Sequence, residues 1–341
     1  MKNISFVNKI IYLVNSLLAT GLLLSYVLPY ISPKTLSSFA FLSLIVPVLI
    51  LINLLFVIYW LIKLKKQFLL STSILVLGYF VTTPLYKLEE TKSSLNNDLK
   101  IMSYNVRMFN HWQWIDNETI PNKIKEFITA KDPDILVLQE YHNLDTPTFD
   151  FSHSYVKLKN DNSNIGLAIY SKYQIINKGS LELTNTANNI IFADILYEKD
   201  TIRIYNLHLQ SLELNTKAEN FGQENSEKLF ARLSAGFKKQ AAQTEKFLTH
   251  EANWFGKKIV AGDFNNTAYS WVYNQIAKNK KDAFVEAGKG FGKTFNYAFP
   301  LRIDFILADE NAIINQFTSF NEKNSDHFPI QARINWKVFV E

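Results

Sequence analysis

Six apolar runs in this chain end at, or are punctuated by, side chains that can hold a cation, an anion or a proton. The plainest is Lys258-Ile259-Val260-Ala261-Gly262-Asp263-Phe264-Asn265, where a short buried-strand pattern breaks at a glycine and delivers a carboxylate and an amide. Two residues apart, Asp263 and Asn265 share a face if the extended backbone persists. A carboxylate there orients a nucleophile or holds a cation, and a neutral amide hydrogen-bonds an anionic oxygen without adding charge. Gly262 removes a side chain where a ligand or another backbone must come close. Elsewhere Leu99 to Tyr104 ends in Asn105, followed by Arg107; Asp134 to Leu138 runs into Gln139-Glu140; and Thr201 to Tyr205 ends in Asn206-Leu207-His208. Asp304 sits inside the apolar run Arg302 to Leu307, and Asp326-His327 precedes Pro329. Asp304 demands a partner, since an unpaired buried carboxylate costs several kcal/mol. Singly, each position reads equally well as a turn or a solvated loop. Together they point to strand ends converging, as ligand sites do in layered sheets.

The elements that must position these groups follow from residue 99 onward, where short apolar runs alternate with polar, helix-like segments. That texture predicts a layered α/β or α+β domain of about 240 residues. Gly166 to Lys172 and Ile191 to Leu196 read as further strands, and Ile124 to Ala130 as the end of a helix cut by Pro133. In 226–248, Leu229, Leu233, Phe237 and Ala241 recur at fourfold spacing, the mark of an amphipathic helix whose Arg232, Lys238, Lys239 and Lys246 face solvent. The absence of cysteine excludes disulfides, thiolate metal sites and cysteine nucleophiles. His111, Trp112, Trp114 and His142 follow two of the polar strand ends and form either a specificity loop or a local aromatic cluster. The connection 209–228, with Asn215, Lys217, Asn220 and Gln223, either overhangs the strand ends or is solvated.

The formal charge of +5 is unevenly placed. Residues 1–87 hold seven lysines and no acidic residue, leaving 29 basic against 31 acidic residues beyond them. The basic pI therefore says nothing about nucleic-acid binding by the later part, and no sequence-specific DNA-recognition motif is visible. Uncharged stretches 10–33, 35–62 and 67–86 are each long enough to hold about 20 apolar residues, what a membrane-crossing helix needs. We expect a membrane anchor over 1–87 with three helices, about 10–31, 37–62 and 68–86, and a short tether over 88–98. Lys2, Lys9, Lys63, Lys65 and Lys66 place the N-terminus and the second connection in the cytoplasm, and three crossings then put residues 99–341 on the extracytoplasmic side.

Seven motifs in order give the chain its resemblance to the endonuclease/exonuclease/phosphatase superfamily, which includes DNase I-like nucleases, neutral sphingomyelinases and inositol polyphosphate 5-phosphatases. They are Ser103-Tyr104-Asn105-Val106-Arg107, Leu138-Gln139-Glu140, Gly166 to Ser171, Asn206-Leu207-His208, Gly262 to Asn265, Arg302 to Ile306 and Ser325-Asp326-His327. The resemblance spans about 99–338 and implies a four-layer α/β/β/α sandwich of the α+β class. It implies hydrolysis of a phosphodiester or phosphomonoester by activated water, with Asn105, Glu140 and Asp326 at a catalytic Mg²⁺, for which Mn²⁺ can substitute. His327 then resembles the general base or the group that stabilises phosphoryl oxygens, oriented by Asp304. Asp263 resembles the residue that orients or deprotonates the water, and His208 with Asn265 the phosphate-binding pair. Arg302 is structural or touches substrate. The substrate implied is a nucleic acid or a phospholipid head group, with a soluble phosphorylated metabolite third. A catalytically inactive envelope scaffold on the same fold is the competing reading.

Overall fold

The computed structural model of the chain describes residues 5–212 and 226–336 apart from Lys92, Ser94 and Asn96. The connection 209–228, read as overhanging the strand ends or solvated, therefore lies largely outside the described residues. Two six-stranded sheets form the larger part. The first contains β1 (Leu99–Asn105), β2 (Ile135–His142), β3 (His153–Leu158) and β4 (Ile165–Ser171). The second contains β5 (Ile175–Ser180), β6 (Asn189–Tyr197), β7 (Asp200–His208), β8 (Lys257–Asp263), β9 (Lys280–Asp282) and β10 (Asp304–Asp309). The chain returns to the first sheet with β11 (Ile313–Ser319) and β12 (Ile330–Asn335). The strand orders are β11-β12-β1-β2-β4-β3 and β5-β6-β7-β8-β10-β9.

Period-two alternation sorts each strand between two cores. Ile101, Val137, Ile169, Ile204, Ile259, Ile306 and Ala332 meet between the sheets. Their neighbours Met102, Tyr104, Leu136 and Leu138 face outward onto Ile120, Ile124 and Ile128 of a helix over Ile120–Lys131. That helix ends where Asp132 turns left-handed ahead of Pro133. Val260, Leu307 and Tyr205 face the other way, onto Phe247 of the long helix Ser226–Glu251 and onto Val272, Tyr273 and Ile276 of Trp271–Ala277. The layers are thus helix, sheet, sheet, helix, the arrangement expected.

The same alternation carries Asn105, Asn206, His208, Asp263 and Asp304 to the inter-sheet face at the strand ends. Asn206, fully buried on β7, crosses between the sheets: its Nδ2 donates to the carbonyls of Leu138 (2.8 Å) and Ala168 (2.9 Å) and its Oδ1 accepts from Gln139 (2.7 Å). Those carbonyls belong to the β2–β4 pair where its register slips between Leu138 and Tyr141. A bulge there frees backbone groups and re-aims a side chain, and Glu140 takes φ +48 within it. Gly262, at φ +137, lies so close to β7 that a Cβ would come within 2.0 Å of the Leu207 carbonyl oxygen. The approaching backbone that its lack of side chain accommodates is therefore the parallel neighbour strand.

Residues 5–87 form a helical bundle of inverted polarity. Its helices are α1 (Phe6–Ser25), a short turn α2 (Ser37–Ala40), α3 (Leu42–Ile62) and α4 (Phe68–Val81). Asn15, Asn53 and Ser71 are wholly buried and join α1, α3 and α4: Asn15 donates to Ser71 (2.7 Å), Ser71 to Asn53 (2.8 Å), and Trp60 to Asn15 (3.0 Å). Leu13, Leu17, Leu55, Ile58, Leu61, Val76 and Phe80 point outward.

One expectation needs correction. Two helical segments, Phe6–Tyr30 and Ser37–Ile62, have the length and apolar character to cross a membrane, whereas the third helix has 14 residues, a rise of about 21 Å against a hydrocarbon core of about 30 Å. The uncharged stretch runs on to Tyr86, but Thr82 is extended and Thr83 precedes Pro84, which disfavours helical backbone before it. Nor do the described residues of 87–98 hang free: Lys87 pairs with Gly290, Ser93 donates to Asn315, and Thr91 reaches Glu286.

Replacing Asn206 by leucine takes the Asn206 donor from two buried carbonyls and leaves the Gln139 amide with only its longer bond to Ser103 (3.3 Å). We expect a loss of about 2–4 kcal/mol, read as a fall in Tm of roughly 5–15 °C. An unchanged melting temperature would show that the two sheets do not depend on this bridge.

Candidate active site

Sheet register assembles the centre. β7 and β8 run parallel with His208 opposite Asp263, and β8 and β10 run antiparallel with Asp263 opposite Asp304. β1 and β2 run parallel with Asn105 opposite Gln139, one residue before Glu140. From β1, Asn105 Nδ2 reaches across the seam to Asp263 (3.0 Å) and to Glu140 (3.2 Å). His327 enters ahead of β12, its backbone paired with Phe295 and its ring packed against that of Phe295 at 4.9 Å.

His327 Nδ1 lies 2.9 Å from Asp304 Oδ2, and its Nε2 lies 3.7 Å from Asp263 Oδ2. Ligand-type atoms of these three residues all fall within 4.8 Å of one another. Asp304 thus has the partner its burial demands; Thr294 Oγ1 accepts from its backbone N–H (3.1 Å). Burial alone would depress the His327 imidazole, but the carboxylates of Asp304 and Asp263 outweigh it and hold the ring well above the usual histidine range. The two acids beside His327 therefore favour the protonated form of its ring. Asp263 is pushed up to about 7, by burial first, with Asp304 adding and the imidazolium opposing. His208 goes the other way: burial, then the charge of His327, lowers it to about 3, so its ring is neutral. Its Nε2 is buried without a hydrogen-bond partner, 3.9 Å from both Glu140 and Asp263. A neutral imidazole nitrogen left open beside acids is poised for a ligand oxygen.

Glu140 and Asp326 repel: burial and then Asp326 raise the Glu140 carboxyl, with Asn105 and Arg107 opposing. The carboxylates of Glu140 and Asp326 are hard oxygen donors of the kind a divalent cation takes. Asn105 turns its Nδ2 toward Glu140 while its Oδ1 accepts from the Arg107 N–H (3.1 Å), so its oxygen would join them only with the amide turned over. The two acids fit a divalent cation, which would relieve the repulsion between them. Arg107, quoted in the first motif but given no role there, also relieves it: its guanidinium lies 3.2 Å from Asp326 and over the Trp114 ring at 4.4 Å. Ser325 was likewise passed over; its hydroxyl donates to the Asn105 carbonyl (2.8 Å) and accepts from the His327 N–H (3.2 Å), fixing the last motif to the first.

Two predicted substrate contacts have other partners. Asn265, at φ +50, gives its backbone N–H to Asp263 (2.7 Å) and its Nδ2 to the Leu209 carbonyl (2.9 Å), holding Asp263 and the residue after His208. Arg302 donates to Asp282 (2.6 Å) and packs over Phe284 and Phe305, which are scaffold residues. His111 and His142 meet each other and Asp145.

The depressed His208 makes an acid-stability prediction. Its folded value, about 3, lies below the unfolded value, about 6.5. Its contribution is complete above about pH 6.5 and is lost as pH falls toward 3, amounting to about 2 kcal/mol at about pH 5. Metal-stripped His208→Gln protein should lose less thermal stability than wild type between about pH 7.5 and about pH 5. Equal losses would mean that His208 is not buried neutral.

A family model described as the endonuclease/exonuclease/phosphatase family matches residues 102–327. A model described as a domain of unknown function matches 8–85. No curated protein matches the chain. Among solved structures, a mannosyl-6-phosphatase from Bacteroides thetaiotaomicron is similar at 17% identity, covering 70% of this chain and 99% of its own, with a TM-score of 0.51. The human Nocturnin catalytic domain with bound sulfate is similar at 18% identity, covering 74% and 98%, with a TM-score of 0.51. A D. rerio TDP2 humanised by 14 mutations is similar at 16% identity, covering 70% and 100%, with a TM-score of 0.53. These likenesses share the fold of the two-sheet domain. Together with a family model spanning most of that domain, they establish that the chain belongs to the endonuclease/exonuclease/phosphatase family.

Proposed function

We propose that the chain is a membrane-anchored, Mg²⁺-dependent phosphoesterase that hydrolyses the head-group phosphoester of a lipid at the bilayer surface. The observation that carries the lipid reading is the seat of the cleft on the helical bundle. Thr267, four residues beyond Asp263, donates to the Ser43 carbonyl at the start of α3 (2.6 Å), and Ser43 donates to Asn266 (3.2 Å). Asn274 donates to Pro29 (2.9 Å), and Tyr269 packs with Ala19, Leu22, Tyr26, Val46, Leu49 and Ile74 of the bundle. Lys34 pairs with Glu245, and the rings of Phe41 and Phe230 meet at 5.9 Å. A domain held this way works within its own dimensions of the bilayer, where lipid head groups are concentrated. The slight acidic balance of the residues beyond 87 adds nothing for a polyanionic nucleic acid.

The bundle supports anchoring, because buried amides and exposed leucines suit a hydrocarbon solvent. It also bears on sidedness. The α1–α3 connection and the segment after α4 meet the catalytic domain at one end of the bundle, whereas Lys63, Lys65 and Lys66 lie in the α3–α4 connection. With positive charge retained inside, the domain faces out of the cytoplasm.

In the reaction, Asp263 orients the attacking water and accepts its proton, its carboxyl lying near neutral pH as a general base requires. As the water oxygen bonds to phosphorus, the bond from phosphorus to the leaving alcohol oxygen breaks, and His327, fixed by Asp304, gives its proton to that departing oxygen. Neutral His208 donates from Nε2 to an equatorial oxygen. Asn105, Glu140 and Asp326 would hold Mg²⁺, which supplies further charge for the phosphoryl oxygens.

The test uses the full chain in detergent and in vesicles, with phospholipids, nucleic acids and bis-p-nitrophenyl phosphate as parallel substrates. Lipid hydrolysis should require Mg²⁺ or Mn²⁺ and stop with EDTA, and His327→Ala and Asp263→Asn should each lower kcat by about 10³-fold or more while the protein stays folded. Near wild-type turnover in either variant sinks the site assignment, and preferred cleavage of DNA or RNA sinks the lipid reading.

A further inference from the structure

Beyond the catalytic cleft, a second group of ligand-type side chains is gathered from the loops that leave β1 and β2. His111 lies six residues after Asn105, His142 two residues after Glu140, and Asp145 follows in the next turn. Their ligand atoms all fall within 4.8 Å of one another. His111 Nδ1 lies 2.8 Å from Asp145 Oδ2, and His142 Nδ1 touches the same oxygen. The imidazole rings stack, with centroids 4.0 Å apart and planes at 27°. His142 is 4% exposed, and its Nδ1 is buried without a hydrogen bond, because its contact with Asp145 is out of hydrogen-bonding alignment. Two ring nitrogens aimed at one carboxylate oxygen, one of them lacking an aligned proton bridge, are a poor hydrogen-bond network. They are a good set of lone pairs for a cation.

We propose that His111, His142 and Asp145 bind a divalent transition metal of the zinc class, clamping the loop after β1 to the loop after β2. Two imidazole nitrogens and one carboxylate oxygen select Zn²⁺, Co²⁺ or Ni²⁺ over Mg²⁺, which favours oxygen. The side chains of His111 and Asp145 are about one-third exposed, so an ion can enter and keep a water ligand. The loop that presents His111 has a use for such a clamp. Arg107, Met108, Phe109 and Asn110 all take φ between +43 and +66, a run that residues other than glycine rarely adopt without support. Asn110 supplies some support, through Ile115 and Asn117, and Trp112 lies edge-on to the His111 ring at 4.7 Å. The site is separate in chemistry from the oxygen donors Glu140 and Asp326 proposed for Mg²⁺, though its ligands ride on the segments that carry Asn105 and Glu140.

The experiment takes the full chain in detergent, strips it with chelator, saturates it with Mg²⁺ and titrates Co²⁺ and Zn²⁺. Wild type should bind one equivalent of Co²⁺ with a visible d–d absorption band, and Zn²⁺ should raise Tm. Both signals should persist in Glu140→Gln and weaken in His142→Gln, with affinity falling by roughly 100-fold or more. Should His142→Gln fail to fold, His111→Gln on the more exposed loop carries the same expectation, its apo melting temperature serving as the folding control. The proposal is overturned if Mg²⁺-saturated wild type binds neither ion, if the histidine variants keep the signals, or if Glu140→Gln alone removes them.

Discussion

The contact of His327 with the buried acids Asp304 and Asp263 is what the rest of the site has to support. Asp263 and Asp304 stand side by side in one sheet, each almost wholly removed from solvent. Adjacent buried carboxylates repel, and removing a partner from such a group costs several kcal/mol. His327 is the compensating charge, and everything near it serves its position: Ser325 fixes its backbone, Phe295 covers its ring, and Thr294 holds the strand of Asp304. Acids raise His327, whereas burial and then the charge of His327 lower His208. Two histidines at one site are thus shifted in opposite directions.

The helical bundle solves the reverse problem. In the two-sheet domain apolar residues fill the cores between the layers. In the bundle Asn15, Asn53 and Ser71 occupy the centre while leucines cover the outside. The two parts meet through polar contacts, Thr267 with Ser43 and Asn274 with Pro29, around the inserted Tyr269. Because the docked segment begins just beyond Asp263 and Asn265, the position of the catalytic strand is coupled to the bundle. That coupling is the physical content of the lipid reading.

Much of this was legible beforehand, for identifiable reasons. The motif resemblance gathered Asn105, Asp263 and Asp304 at one site and gave His327 as the partner that the cost of burying Asp304 demanded. The shared face expected of Asp263 and Asn265 needed an extended strand, whereas β8 stops at Asp263 with Asn265 at φ +50. The helix 226–248 was readable because Phe237 and Ala241 follow a helical period. Other features needed non-local information. The end of α4 at Val81 was not legible from hydropathy, which continues to Tyr86, since backbone conformation ahead of Pro84 decides it. Arg302 and Asn265 read as ligand contacts because their types suit a phosphate. Their partners, Asp282 and the Leu209 carbonyl, lie 20 and 56 residues away. Asp145 drew no notice, since an aspartate in a turn is ordinary until two histidines are seen to meet it.

Residue type and period by themselves determined the central strands and which of their tips carry acid, amide or imidazole, because those properties depend on one to four residues at a time; β3, β5, β9 and β11 carry no such local mark. Tertiary structure alone decided that Asn206 would bridge the sheets, that a bulge would turn Glu140 into the cleft, and that Arg107 would face Asp326. It also decided the opposite charge states of His327 and His208, since a pKa responds to burial and to charges brought close by distant segments, and no local pattern contains either.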